Sequence, residues 1–223
     1  MCARFTITAG PDKIKARFEV DQIPFKYSPR YNLAPTQDAP VVVNGSGRQL
    51  KLMRWGLVPS WAKDPSIGVK MINARAETLA EKPSFRKPLA ERRCLVVADG
   101  FYEWQAIPGQ KTKTPMRFAL KSREPFAFAG LWDWWKNPKG GELETFTLIT
   151  TAANDTIRPV HDRMPVILAQ AQETPWLDPD LKDAGKLLSL LQSNAADGIE
   201  YYSVSTLANS PKTDGPQCIV PVS

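Results

Sequence analysis

Cysteine at position 2 opens the widest chemistry of any residue in this sequence. Methionine ahead of a small residue is ordinarily trimmed, so the mature chain is expected to start at Cys2. That leaves a thiol and an α-amine on adjacent carbons. An α-amine titrates at about 7.7–8.0, so a good share of it is nucleophilic near neutrality. With an aldehyde it forms an imine, which the thiol can close to a five-membered thiazolidine. The thiolate can alternatively serve as an N-terminal nucleophile with its own amine as base. Position 2 is also where chains fray, and a cysteine there needs no function.

Three further groups invite a chemical reading. Asn73, Arg75 and Glu77 stand at every second position of Met71–Glu77, so an extended backbone turns an amide, a guanidinium and a carboxylate to one side. Arginine holds phosphate in a two-pronged fork and asparagine can position an amine or a carbonyl. An ordinary polar loop has the same composition. Glu103 lies between Tyr102 and Trp104, just after the apolar run 95–98. Aromatic surroundings raise a carboxyl pKa and suit it to general acid or base work; an exposed Glu alternating with buried rings is the plainer alternative. His161 is the only imidazole in the chain, and Arg163 shares its face if 160–165 is extended. A lone histidine can equally be a structural one.

The elements that must present these groups are mostly strands. The 223 residues include 20 prolines, about 9% against an average near 5%, which disfavours a helical bundle. Strands are expected at 3–8, 41–43, 49–55, 94–104, 116–120, 126–132, 144–151 and 199–204, by apolar β-rich runs and alternation. Helices are expected at 11–20 and 181–193, the second with Leu187, Leu188, Leu190 and Leu191 on its apolar side, and weakly at 77–90, broken by Pro83 and Pro88. Strands outnumber helices and rarely alternate with them. The expected fold class is therefore α+β, with mainly antiparallel β-sheets and short helices around them, as one domain over 1–223.

Composition excludes several classes. Cysteines at 2, 94 and 218 are too few and too scattered for a disulfide scaffold or a zinc ribbon, and one histidine leaves no His-rich metal site. Cys94 and Cys218, in apolar surroundings, are expected as core fillers. The N-terminus lacks the pattern of a signal peptide and no apolar run of about 18 residues could span a bilayer. A cytoplasmic, monomeric protein is the expectation. Lys and Arg number 29 and Asp and Glu 23, giving +6, which favours an anionic partner. Basic and aromatic residues interleave in the first half, among them Arg4, Trp55, Trp61, Arg75, Phe85 and Arg86. A groove that tracks phosphates while rings stack on bases needs both types, although most of the seven tryptophans are expected in the core.

Six segments in order, Met1–Phe5, Tyr31–Pro35, Trp55–Pro59, Asn73–Glu77, Gly100–Trp104 and His161–Pro165, resemble the SRAP family, named for an SOS-response-associated putative peptidase. The resemblance runs from Cys2 to the 204–205 region. It implies a barrel-like fold and a sensor that crosslinks itself to abasic sites in single-stranded DNA, shields them from strand cleavage, and can show lyase and crosslink-reversal activity. It implies Cys2 as the crosslinking residue, Asn73 as the group that orients it, Glu103 as the catalytic glutamate and His161 as the active-site histidine. Arg75 matches a phosphate-gripping arginine. Arg4, Trp61, Thr151 and Arg163 match DNA-contacting positions, and Arg86 joins them from the basic-aromatic pattern. No metal or organic cofactor is required. Ala3 stands where the family usually has Gly, which narrows the approach to Cys2 without removing a reacting group. Two other readings are an N-terminal-nucleophile thiol peptidase that processes its own N-terminus, and a non-covalent single-strand binding module.

Overall fold

The computed structural model describes residues 2–109, 111–192 and 198–222. Its elements in chain order are β1 (Phe5–Ile7), α1 (Pro11–Phe18), β2 (Arg30–Leu33), β3 (Asp38–Asn44), β4 (Arg48–Trp55), β5 (Asn73–Arg75), α2 (Pro83–Glu91), β6 (Arg93–Ala98), β7 (Gly100–Gln105), β8 (Thr114–Leu120), β9 (Phe126–Lys136), β10 (Glu142–Ala152), β11 (Arg163–Pro165), α3 (Gln170–Leu177), α4 (Ala184–Leu190) and β12 (Ile199–Ser203). The fold is α+β with mainly antiparallel sheets, as expected. Two pairings, β10 with β4 and β10 with β5, are parallel.

One sheet runs β12-β8-β7-β1-β2. In the other, the order β10-β4-β3-β6-β9 closes on itself because β9 also pairs with β10. Closure leaves the barrel strands with no free edge. Gly130 sits where β9 crosses the interior: a Cβ there would meet Cys94 Sγ at 2.8 Å and Val96 Cγ2 at 2.9 Å. Buried side chains from both sheets, including Phe5, Trp55, Phe101, Phe118, Phe128 and Phe146, form one cluster. Cys94 and Cys218 are buried, as core fillers should be.

The apolar run 94–104, expected as a single strand, is two strands in different sheets. Asp99 makes the break. Its carboxylate accepts from Thr6 Oγ1 at 2.5 Å, Thr8 Oγ1 at 2.7 Å, Ala9 N at 2.9 Å and also Thr8 N. A carboxylate so well supplied pins the end of β6 to the segment after β1 and redirects the chain into β7. The residues on either side of Asp99-Gly100 are apolar and β-rich, so the run reads as one strand although that pair is itself a turn signal. The expected helix 181–193 begins at Ala184, after Asp183 caps it by accepting from Lys186 N at 2.7 Å; Ser193 lies outside the described residues. Of its leucines, Leu187 and Leu191 are buried, and Leu188 and Leu190 pack at the margin. Strands β2, β5 and β11 and helix α3 carry too little periodicity to announce themselves. Three of the seven tryptophans are buried, Trp55, Trp135 and Trp176, fewer than expected. Among the described residues no helix is long and apolar enough to cross a membrane.

Candidate active site

Short strands from both sheets bring the four central residues together. β1 and β7 are neighbours, with Phe5 opposite Phe101, so Cys2 emerges next to the strand that carries Glu103. β5 lies along β10 with Asn73 opposite Leu148, and the loop after β10 returns through His161 into β11. The approach to β5 is held by a close backbone crossing. Gly56 has φ +128°, and a Cβ on it would meet Gly68 O at 2.6 Å. Only glycine fits there. Trp55 Nε1 then donates to Ile72 O at 2.8 Å, fixing the residue before Asn73.

Asn73 Nδ2 donates to the backbone O of Cys2 at 2.8 Å, so the amide anchors the N-terminal segment. Its Oδ1 is buried without a hydrogen-bond partner among the described residues, an acceptor left over for a ligand. Cys2 is fully buried. Burial pushes its thiol up, and the charge of Glu103 adds to the rise. A thiol so placed is a poor thiolate nucleophile at neutral pH.

Glu103 is 3% exposed, so the alternative of an exposed strand glutamate is excluded. Desolvation raises its pKa to about 7; Lys113 opposes the rise and Asp162 adds to it. A carboxyl near 7 is half protonated at neutrality and can give or take a proton. His161 Nε2 stands 4.0 Å from Glu103 Oε2. Its Nδ1 lies 3.0 Å from the Arg163 amide nitrogen and 3.0 Å from Asp162 Oδ1. One ring nitrogen cannot accept from the first and donate to the second at once. The amide is fixed in the backbone and the Asp162 side chain is 89% exposed, so we assign Nδ1 as acceptor and place the proton on Nε2, toward Glu103. Burial lowers the imidazole pKa, which favours the neutral ring at pH 7.

The expected phosphate and base contacts fall into two groups. Arg75 is exposed and its side chain makes no hydrogen bond or ion pair among the described residues. Trp61 is 59% exposed and lines a cavity of about 450 Å³ with Lys63 and Lys70, in the segment that leads into β5. Both are free to receive a ligand. Arg4 and Arg163 are already engaged. Arg4 Nη1 donates to Asn32 Oδ1 and Ala208 O, each at 3.0 Å, and its guanidinium lies over Trp104. Arg163 pairs with Glu77. Thr151 is half-buried in β10 opposite Met164. Arg86 is exposed on α2, which packs chiefly on β6, β9 and α4, none of them bearing a central residue. The expected one-sided row of Asn73, Arg75 and Glu77 stops early, because Glu77 lies in the 3-10 turn Ala76–Thr78 that follows β5. Sequence reading missed Lys113, whose charge acts on both Glu103 and His161. Lys113 lies in a polar loop with only Lys111 as a basic neighbour, which gave no spacing signal.

The family model described as SOS response associated peptidase (SRAP) matches residues 1–211. The chain belongs to the SRAP family. Among its SRAP relatives, the abasic site processing protein YoqW of Bacillus subtilis (strain 168) is 52% identical over 222 residues, 98% of this chain and 99% of that one. The abasic site processing protein HMCES of Gallus gallus is 36% identical over 88% of this chain and 67% of its own length. A crystal structure of a Bacteroides thetaiotaomicron protein matches with a TM-score of 0.87 at 27% identity, covering both chains completely. At Ala3 the backbone stays out of the left-handed region, so the methyl brings no backbone strain.

Proposed function

We propose that this SRAP protein processes abasic sites in single-stranded DNA by crosslinking itself to them through Cys2. The reading rests on one observation: the Cys2 carbonyl is held by Asn73 beside a buried carboxyl titrating near neutrality, with a neutral imidazole 4.0 Å from that carboxyl. Relatives named abasic site processing proteins point the same way.

Loss of Met1 frees the α-amine. Protonated Glu103 gives its proton to the ring oxygen of the abasic sugar as the hemiacetal opens to the aldehyde, the anomeric hydroxyl releasing its own proton to solvent. The amine adds to the carbonyl carbon, water leaves, and an imine forms. The Cys2 thiol then adds to the imine carbon and its proton passes to the nitrogen, closing a thiazolidine. Glu103 and His161 lie where they can relay these protons. The high thiol pKa suits this order, since the amine attacks first and the thiol need only close a ring already tethered to it. The same property disfavours a thiol peptidase, which needs a ready thiolate. Left as an imine, the adduct would allow β-elimination and strand cleavage. Arg75 and Trp61 are the groups we assign to the DNA backbone and bases.

The test is a denaturing gel. Purified protein lacking Met1, checked by intact mass, should form a heat-stable shifted band with a single-stranded oligonucleotide carrying one abasic site. Absence of that band with fully processed protein sinks the proposal; binding that ignores the lesion would favour the non-covalent module. Asn73→Ala removes the side-chain anchor of Cys2. It should slow adduct formation about 10- to 100-fold, as misplacement of a reacting group does. A quenched time course would reveal an unchanged rate if the anchor is dispensable.

A further inference from the structure

Trp61 stands at one end of a groove that continues away from the four central residues. Its cavity of about 450 Å³ shares Ser66 with a smaller one of about 190 Å³. The smaller cavity in turn shares Thr36 and Arg54 with a third, of about 400 Å³, bounded by β3, β4 and the chain before β2. Alternation along β4 opens this surface. Met53 and Trp55 point into the core, so Leu52 and Arg54 point out, and Leu52 is 44% exposed. The chain before β2 lines the same cavity with the half-buried rings of Phe25 and Tyr27. The Tyr27 hydroxyl donates to Ala9 O at 2.6 Å, which fixes that ring. Thr36, where two of the cavities meet, has φ +70° and is held there as its N–H donates to Trp55 O at 2.9 Å. A β-branched residue in the left-handed region is strained, and such strain collects at ligand sites.

Positive charge runs the length of the groove. Lys26, Arg30, Arg54, Lys63 and Lys70 line it, against the carboxylates of Asp38 and Asp64. Arg30 is paired with Asp214. The other four cations are exposed, and their side chains make no hydrogen bond or ion pair among the described residues. We propose that this groove is a track for the single-stranded flank of the damaged strand. Beyond Trp61 the DNA runs over Arg54 to Lys26, its phosphates on the unpaired cations and its bases against Phe25, Tyr27 and Leu52. Cations spaced along a groove and interleaved with rings are what a sequence-tolerant single-strand path requires. The track joins the site at Trp61, so its placement beside a lesion rests on the function proposed above. The experiment therefore reads non-covalent binding of undamaged strands.

Thymidine oligonucleotides of roughly 6 and roughly 14 nucleotides, titrated at several salt concentrations, are the probe. Wild-type affinity should rise with length and its salt dependence should steepen. Lys26→Gln combined with Arg54→Gln should lower the slope of log K against log salt by about 1.4 on the longer strand, from two phosphate contacts at about 0.7 each. Binding of that strand should weaken on the order of tenfold, with little difference on the shorter one. Lys121→Gln combined with Lys186→Gln removes the same charge from residues that line none of the three cavities, and should keep the wild-type slope. An equal loss in that control would reduce the effect to net charge and overturn the track. So would wild-type affinity that does not grow with length, or a full slope in the Lys26 and Arg54 double variant. Crosslinking of wild type to an abasic strand is read separately on a denaturing gel; its failure sinks the proposed function and leaves the length dependence standing.

Discussion

Cys2→Ser should turn a trapping protein into a cleaving one. Serine at position 2 is small enough to let Met1 be trimmed, so the variant keeps a terminal α-amine and can still form the imine. Its hydroxyl closes only a weak oxazolidine in place of the thiazolidine. The imine then persists and β-elimination follows. Heat-stable adduct should fall on the order of 10³-fold, the scale on which loss of a covalent nucleophile acts, while cleaved oligonucleotide rises. Because Asn73 holds the Cys2 backbone carbonyl, the substitution leaves that contact in place, and the serine hydroxyl can donate to Arg4 O as the Cys2 thiol does. Following both products on one gel separates the outcomes. Wild-type levels of adduct from Cys2→Ser would remove the thiol from the mechanism.

Glu103→Gln should have the second largest effect, and in opposite directions on activity and stability. A glutamine can neither donate nor accept the proton that ring opening and imine formation require. Crosslinking should slow by about 10²- to 10⁴-fold. In the wild type the acid form of Glu103 fades as pH rises through about 7, and the rate of ring opening should fall with it. The variant's residual rate should lose that limb of the profile. Stability follows from the same burial. Below the ordinary value of 4.5 the carboxyl is protonated in both folded and unfolded chains and costs nothing. Between 4.5 and about 7 the unfolded chain ionises and the folded one holds its proton, so the wild type loses stability with rising pH. Glutamine escapes that loss, so the variant should be stabilised at pH 8 by on the order of 3 kcal/mol relative to pH 4. Thermal melts at the two pH values check it; equal shifts in melting temperature at both would mean that burial of Glu103 carries no such cost.

Much of the site was legible before the fold. Cys2, Asn73, Glu103 and His161 sit in short motifs whose order along the chain pointed to one family, and the structure brings all four to adjoining strands and loops. What could not be read was their state. Glu103 alternates with aromatics in a pattern that fits an exposed or a buried carboxyl equally; only the packing of β7 between β1 and β8 puts it 3% exposed. Arg163 and Arg75 look alike as arginines two residues from a motif partner, yet one pairs with Glu77 and the other is exposed.

The sequence by itself determined the strand-rich class and the set of reactive side chains, because composition, alternation and residue type are local properties. Tertiary structure alone decided the break at Asp99, the closing of β10 onto β9, and the titration of Glu103 near neutrality. It also decided which arginines pair with a carboxylate. These depend on what lies opposite each residue across strands remote in sequence. Desolvation, hydrogen-bond competition and ion pairing are set by such neighbours, and no local pattern carries them.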